Sequence, residues 1–324
     1  MKFGVVAIGR NEGERLRRCL ASLSVLAAPV VYVDSGSTDG SVKLARDMSG
    51  VEVIELDMGF PFTAARARNA GLRRLREISP NLEYVQFLDG DCELIQGWLE
   101  DAISFLDTHA NVAAVCGRRR ERYPEHSIYN WLCDREWEGP VGDVRYFGGD
   151  VMLRVHALQG VDGYRDDLIA GEEHELCVRL RKAGWRIWSL DRDITLHDAA
   201  ITRFDQWWLR ALRSGYTFAQ GVYLHGGPPE HHYVWQARRA WLLGLSLPLA
   251  CFISGLVFGP WGWAAWLIYP LHMLQKIVCK PGPLRDRTRL ALFSVLVRFP
   301  EVSGQIKFLW DRLLRRQARI IEYK

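Results

Sequence analysis

No two cysteines in this chain form a C-x-x-C pair. The seven present (Cys19, Cys92, Cys116, Cys133, Cys177, Cys251 and Cys279) are odd in number and scattered. That argues against a zinc cluster or a disulfide framework and fits reduced thiols. Strong charge of either sign is also missing. A net charge of +4 and a pI of about 8.7 are too modest to indicate nucleic acid, and none is expected as a partner. No signal peptide is visible. Met1 to Ile8 is a short apolar run followed at once by charged residues, and it reads as a first strand. With 48% hydrophobic and 25% charged residues in 324, the chain is not disordered. It is long enough for one large core plus an appendage.

One region lacks charge altogether. Ala240 to Gly259 carries none, and after Pro260 the run Trp261 to Leu274 carries none either. The first run is long enough to cross a hydrocarbon core as a helix; the second is marginal. Arg238, Arg239, Lys276, Lys280 and Arg285 flank the pair on its outer sides. By the positive-inside rule both ends are cytoplasmic, so residues 236–280 read as a membrane hairpin. Residues 281–324 mix apolar residues with Arg312, Arg315, Arg316 and Arg319. They read as a basic amphipathic helical tail, lying on an anionic leaflet or packed as a surface helix. Gly226-Gly227-Pro228-Pro229 marks a linker over 226–235, which leaves 1–225 as the main domain.

That domain alternates strand and helix patterns. Residues 3–8 and 30–34 are short apolar runs ending in polar loops. Between them Leu16, Cys19, Leu20 and Leu23 recur at helical spacing, a βαβ unit. A helix around 40–48, a strand at 51–56, an arginine-studded helix at 63–78, and strands at 83–88 and 112–116 follow. The expectation is an α/β, doubly wound, mostly parallel sheet. After residue 118 the pattern is mixed: a glycine-kinked strand over 146–154, a helix over 172–183, strands at 185–190 and 195–197, and a helix over 204–220.

Asp89-Gly90-Asp91 closes the apolar run Tyr84 to Leu88. Two carboxylates on a turn at the C-terminal end of a buried strand can hold a hard divalent cation, Mg²⁺ or Mn²⁺, that bridges nucleotide phosphates. In open α/β sheets, ligands bind at that edge.

Four further segments stand in order around this turn. Ile8-Gly9-Arg10-Asn11-Glu12 follows the first strand and Asp34-Ser35-Gly36-Ser37-Thr38-Asp39-Gly40 the second. Arg66-Ala67-Arg68-Asn69-Ala70-Gly71 lies on a helix, and Gly171-Glu172-Glu173-His174-Glu175 comes later. Together these motifs resemble glycosyltransferase family 2, the inverting enzymes of GT-A (Rossmann-like) fold, over roughly the first 220 residues. The resemblance implies a nucleotide-diphosphate sugar donor, a divalent cation, and inversion at the anomeric carbon. It implies Asp91 as direct metal ligand, Asp89 as ribose or further metal contact, and His197 as another metal ligand or a core histidine. Ile8, Asn11, Glu12, Asp34 and Gly90 fall among donor-binding positions; Asp34 can instead close an Asx turn or cap a helix, and Asn11 and Glu12 can instead cap the first helix. Arg66 and Arg68 offer planar donors suited to phosphate. Gly149 and Asp150 lie where relatives shape the sugar pocket. Glu172 and Glu173 match an acidic pair whose second member is the usual base, normally Asp.

Gln206-Trp207-Trp208-Leu209-Arg210 departs from the Gln-x-x-Arg-Trp signature of processive relatives, which favours single addition. Trp207 or Trp208 can stack on an acceptor sugar or be buried. With the hairpin, these features suggest a cytoplasmic catalytic domain attached to the inner membrane and acting on a lipid-linked or surface-polysaccharide acceptor. Competing readings are a nucleotidyltransferase on a similar sheet, whose Gly-rich basic loop is missing after strand one, and a non-catalytic membrane scaffold.

Overall fold

The structure is a computed structural model that describes residues 2–316 and 319–322. It falls into two compact units, Met1–Thr202 and Arg203–Lys324. The division comes before residue 225, where the sequence suggested a boundary.

In the first unit, β1 (Phe3–Gly9), β2 (Val30–Asp34), β3 (Val51–Glu55) and β4 (Tyr84–Asp89) are joined by helices α1 (Glu14–Leu23), α2 (Ser41–Arg46) and α3 (Ala64–Ile78). There follow β5 (Cys92–Leu94), α4 (Trp98–Thr108), β6 (Val112–Glu121), α5 (Ile128–Glu136), β7 (Gly142–Asp143), β8 (Val151–Arg154), α6 (Val155–Gln159), α7 (Glu172–Lys182) and β9 (Arg186–His197). The strands form one mixed sheet in the order β3-β2-β1-β4-β8-β6-β9-β5, with β7 also on β9. The β3-β2-β1-β4 half is parallel. β8 runs antiparallel to both β4 and β6.

The period-2 alternation of strand side chains explains the core. Val6, Val31, Val33, Val85 and Phe87 face one side, against Leu72 and Leu75 of α3 and Leu176 and Leu180 of α7. Val5, Ala7, Tyr32 and Leu88 face the other, against Leu16, Cys19, Leu20 and Leu23 of α1. Each such fully buried apolar side chain contributes about 1.5–3 kcal/mol. Gly148-Gly149-Asp150 precedes β8 instead of kinking it, and the two strands expected near 185–197 are one continuous β9.

In the second unit, α8 (Phe204–His225) is followed by a continuous helix, Val234–Phe258, that alone among the described residues is long and apolar enough to cross a membrane. Its middle, Leu242–Ser246, is π-helical, just before Pro248. A π turn accommodates the missing proline N–H without breaking the helix. The second uncharged run, marginal in length for a span, is not one regular α-helix. It is divided into Pro260–Trp263, a 3₁₀ turn Ala264–Leu267 and Ile268–Cys279. The two arms fold back on each other: a Cβ on Gly262 would lie 1.9 Å from Ser254 O, and the Tyr269 hydroxyl donates to Leu243 O at 2.5 Å.

The tail begins as two helices, Leu284–Leu296 and Arg298–Leu313. The latter packs on α8, where a Cβ on Gly304 would come within 2.0 Å of Leu212 O. Residues 317–318 and 323–324 of the expected tail lie outside the described residues. Trp207 is buried, edge-on to Phe293 at 5.0 Å, and thus is a core residue.

Candidate active site

Strand register gathers the site. In the parallel ladders Gly9 pairs with Asp34 and Ile8 with Asp89, so three loops leave the sheet at one edge. The Ile8 carbonyl accepts from Gly90 N at 2.7 Å. A Cβ on Gly90 would sit 3.0 Å from that carbonyl, so the turn after β4 lies tight against β1.

The centre of the site is Arg68. It is 1% exposed on α3, and its guanidinium holds three carboxylates: Glu172 at 2.7 Å, Asp89 at 2.9 Å and Glu173 at 3.0 Å. Burial alone would lower its pKa, but Glu173, Asp89 and Glu172 hold it well above the ordinary arginine value. The next residue, Asn69, fastens the loop before α7 by donating to Tyr164 O and Asp166 Oδ1, both at 2.7 Å. The Arg-Asn pair therefore ties α3 to the acidic turn in two ways.

Asp89 is also held by Arg119, Nη2 to Oδ2 at 2.9 Å. Burial pushes the Asp89 carboxyl up, yet Arg68 and Arg119 outweigh it and bring it below its usual value. Arg119 Nε reaches Asp150 Oδ2 at 2.8 Å. Asp150 in turn accepts from Asp89 N at 3.1 Å and from Thr195 Oγ1 at 2.6 Å. Gly149 makes this closeness possible. A Cβ there would fall 2.4 Å from Asp89 Oδ2 and 2.8 Å from Arg68 Nη2.

Asp91 and His197 meet because Cys92 pairs with His197 across β5 and β9. Asp91 Oδ2 lies 3.4 Å from His197 Nε2, and the other ring nitrogen, Nδ1, lies 3.2 Å from Glu121 Oε2. Burial alone would lower the His197 pKa; Asp91 and Glu121 hold it above the ordinary value. Asp91, Cys92 and His197 each offer a ligand atom within 4.8 Å of the others. Burial pushes the Cys92 thiol well up, so it stays protonated. The remaining oxygen and nitrogen donors suit Mn²⁺ or Mg²⁺, with imidazole favouring Mn²⁺.

Several residues expected to face a nucleotide are engaged in building loops. Asp34 Oδ1 accepts from Tyr32 Oη and Ser37 Oγ, and Oδ2 from Gly36 N and Ser37 N, an Asx turn using both oxygens. Asn11, at φ +56°, receives Thr38 N on Oδ1 at 2.7 Å and so joins the first two loops. Glu12 pairs with Arg15 at 2.9 Å. Arg66 donates to the carbonyls of Asp57, Phe60 and Pro61. Backbone carbonyls hold the Arg66 guanidinium, and carboxylates hold that of Arg68. Arg119 and Glu121 went unrecognised in the sequence. Their one local signal is a charged run, Arg118 to Arg122, that follows the apolar strand residues Val112 to Cys116 after the single residue Gly117.

The mixed, mostly parallel sheet with carboxylates at one edge is that of a GT-A fold glycosyltransferase. Mannosyltransferase PcManGT from Pyrobaculum calidifontis, solved in complex with GDP-Man and Mn²⁺, has the same fold. It superposes with a TM-score of 0.60 at 20% identity, over 96% of this chain and 88% of that one. Staphylococcus aureus TarS 1-349 superposes at 0.50 and 16% identity, over 98% and 92%.

The chain belongs to glycosyltransferase family 2. Residues 5–141 match that family's sequence model. Glycosyltransferase AglE of Haloferax volcanii is 32% identical over 276 residues, 76% of this chain and 88% of that protein. Succinoglycan biosynthesis protein ExoA of Rhizobium meliloti is 28% identical over 192 residues, 55% of this chain and 56% of its own length. The chain thus spans little more than half of that relative.

Proposed function

We propose that this glycosyltransferase is a metal-dependent, inverting enzyme. It transfers a sugar from a nucleoside-diphosphate sugar to a lipid-linked or surface-polysaccharide acceptor at the cytoplasmic face of the inner membrane. The observation that carries this reading is the Arg68 junction, in which Asp89 of the metal turn and Glu172 and Glu173 of α7 share one buried guanidinium. The GDP-Man and Mn²⁺ of the Pyrobaculum enzyme support the donor and cation classes, and the succinoglycan relative supports the polysaccharide setting.

Asp91 and His197 would hold the cation, with Asp89 beside them. Bound there, it supplies a Lewis acid that offsets charge on the departing diphosphate. Glu173, 16% exposed against 4% for Glu172 at the side chain, is the better placed base. Its carboxylate takes the acceptor hydroxyl proton as the acceptor oxygen bonds to the anomeric carbon and the bond to the diphosphate breaks, which inverts the centre. Arg68 orients the Glu173 carboxylate for that step, and Glu172 keeps Arg68 in place. Asp150 and Arg119 fix the rotamer of Asp89.

Membrane attachment rests on the helix Val234–Phe258, little of it buried, and on its apolar second arm. At a rise of about 1.5 Å per residue it is about 37 Å long, enough to reach through a hydrocarbon core. The reading is tested by nucleoside-diphosphate thermal shifts with and without Mn²⁺, followed by transfer assays with a panel of nucleotide sugars. A melting point that no nucleotide moves, with or without metal, would refute it.

A further inference from the structure

Four basic side chains from three helices converge in the second unit. Arg239, on the helix Val234–Phe258, is the last charged residue before the uncharged run that begins at Ala240. His272 and Lys276 stand one turn apart on a single face of Ile268–Cys279, and Arg298 opens Arg298–Leu313. Packing brings these helices together. A Cβ on Gly244 would come within 2.3 Å of Arg298 O, and Gln305 Nε2 donates to Ala237 O at 3.4 Å. Lys276 Nζ donates to Ser294 Oγ at 2.5 Å, and Arg298 Nε donates to Ser294 O at 3.2 Å. One serine therefore holds two of the cations.

The charges do not cancel. Glu301 is committed to Arg298, Oε2 to Nη1 at 2.6 Å. Among the described residues no hydrogen bond or ion pair holds the Arg239 guanidinium. Arg298 repels it, and Arg239, Arg298 and Lys280 all repel Lys276. His272 lies in the same field, and its Nε2 is buried without a hydrogen-bond partner among the described residues. All four side chains are half-buried, so water screens the repulsion less than on an open surface. The positive-inside rule asks only for exposed cations beside a span, as Arg238 and Arg285 are. Cations gathered between helices make a seat for an anion. The surface around that seat is apolar. Trp235 and Leu242, one turn to either side of Arg239 on its helix face, are exposed, as are Leu271, Leu274 and Val278 on the second arm. An anion with an apolar tail matches both features, whereas a soluble phosphate matches one.

We propose that this basic cluster binds the phosphate of an anionic phospholipid, held between the helices at the charged end of the apolar hairpin. Arg239, Lys276 and Arg298 supply charge-assisted donors to the phosphate oxygens, and the acyl chains lie along the exposed apolar faces of the two arms. The bound lipid offsets a repulsion that the protein alone leaves standing. The proposal rests on the membrane reading above. It makes the composition of the bilayer, beyond its presence, a determinant of the stability of the second unit.

The test titrates the full chain in detergent with phosphatidylglycerol, phosphatidylcholine, geranylgeranyl phosphate and inorganic phosphate. Native mass spectrometry counts what stays bound, and thermal denaturation reads the stabilisation. Phosphatidylglycerol is expected to be retained and to raise the melting point ahead of the other three. Arg239→Gln and Lys276→Gln are each expected to weaken its binding by roughly fivefold or more, the worth of one interfacial cation, whereas Arg239→Lys keeps most of it. Arg238→Gln, one residue earlier but exposed, is expected to change little. In lipid-free detergent Arg239→Gln is expected to melt no lower than wild type, because it removes a repelling charge; a clearly lower melting point would overturn the proposal. Equal losses from Arg238→Gln and Arg239→Gln would reduce the cluster to general surface attraction and overturn it too. So would a full shift from inorganic phosphate, which makes the ligand a soluble anion, or tighter binding of geranylgeranyl phosphate, which makes it an isoprenoid carrier. Equal retention of phosphatidylglycerol and phosphatidylcholine by a chain that enters neutral liposomes overturns the proposal alone. A chain that stays monodisperse without detergent and ignores liposomes takes the membrane reading down with it.

Discussion

His197 stands between two carboxylates: Nε2 lies 3.4 Å from Asp91 Oδ2 and Nδ1 lies 3.2 Å from Glu121 Oε2. Glu121 is fixed in turn by Asn130 Nδ2 at 3.2 Å and Ala199 N at 3.1 Å. With a cation held beside Asp91, a proton on Nδ1 shared with Glu121 would leave the Nε2 lone pair for the metal, the arrangement by which carboxylates orient metal-binding histidines.

Glu121→Gln keeps the shape of the side chain and removes its charge. The expected outcome is a loss of Mn²⁺ affinity of roughly 10–100-fold, read by electron paramagnetic resonance of free Mn²⁺ during titration of the nucleotide-bound chain. Unchanged affinity would leave Glu121 as a loop-building residue only.

Glu173→Gln is expected to keep nucleotide binding near wild type while turnover falls by roughly 10²–10⁴-fold, the usual range for loss of general-base help. Glu172→Gln is expected to be milder in turnover and to cost stability, because it weakens a contact to a buried cation. Single-turnover transfer and urea denaturation of both variants check this. A dead Glu172 variant beside an active Glu173 variant would move the base one residue back.

Gly148 and Gly149 make a paired test of the Arg68–Asp89 contact. A Cβ at position 149 collides with both partners, whereas at 148 it meets nothing within 4 Å. Gly149→Ala should lower transfer by about 10²-fold, a cost typical of shifts near 1 Å in a catalytic group. Gly148→Ala should leave fold and nucleotide binding intact. Equal effects of the two on the nucleotide-dependent melting shift would argue against this role for Gly149.

Leu249 is 53% exposed in the middle of the charge-free run Ala240 to Gly259, so Leu249→Arg should fold normally. If that segment lies in hydrocarbon, the charge costs roughly 2.5–3.5 kcal/mol, about a hundredfold in partitioning. Co-sedimentation with liposomes measures it. Equal sedimentation of variant and wild type would place this segment outside the bilayer.

Much of the edge that forms the site is legible in the sequence. Val30–Asp34 and Tyr84–Asp89 are apolar runs closed by an acid, and their ends are strand ends in the structure. The helix Trp98–Thr108 carries its own signal in Trp98, Leu99, Ala102 and Leu106, although the sequence reading assigned no element there. β5 and β7 are three and two residues long, too short for any period to show. The partners of Arg68, Asp89 and His197 were not legible. Contacts between residues 68 and 172, 89 and 119, or 121 and 197 are set by strand register and by the packing of α3 against α7, which local patterns do not encode. The loop contacts of Asp34, Asn11 and Arg66 were hidden for a related reason. Polar residues at a loop look alike whether they face a ligand or close the loop itself.

The reversal of β8 has a geometric result of its own. In a wholly parallel sheet, only strand exits share an edge, and every loop there descends from the same polarity of chain. Because β8 runs against β4, its entry meets the exit of β4, and Asp150 arrives where Asp89 departs. The rim is therefore fed from both chain directions. Insertions before β8 and after β4 can reshape opposite walls of the site independently, without disturbing a single ladder hydrogen bond.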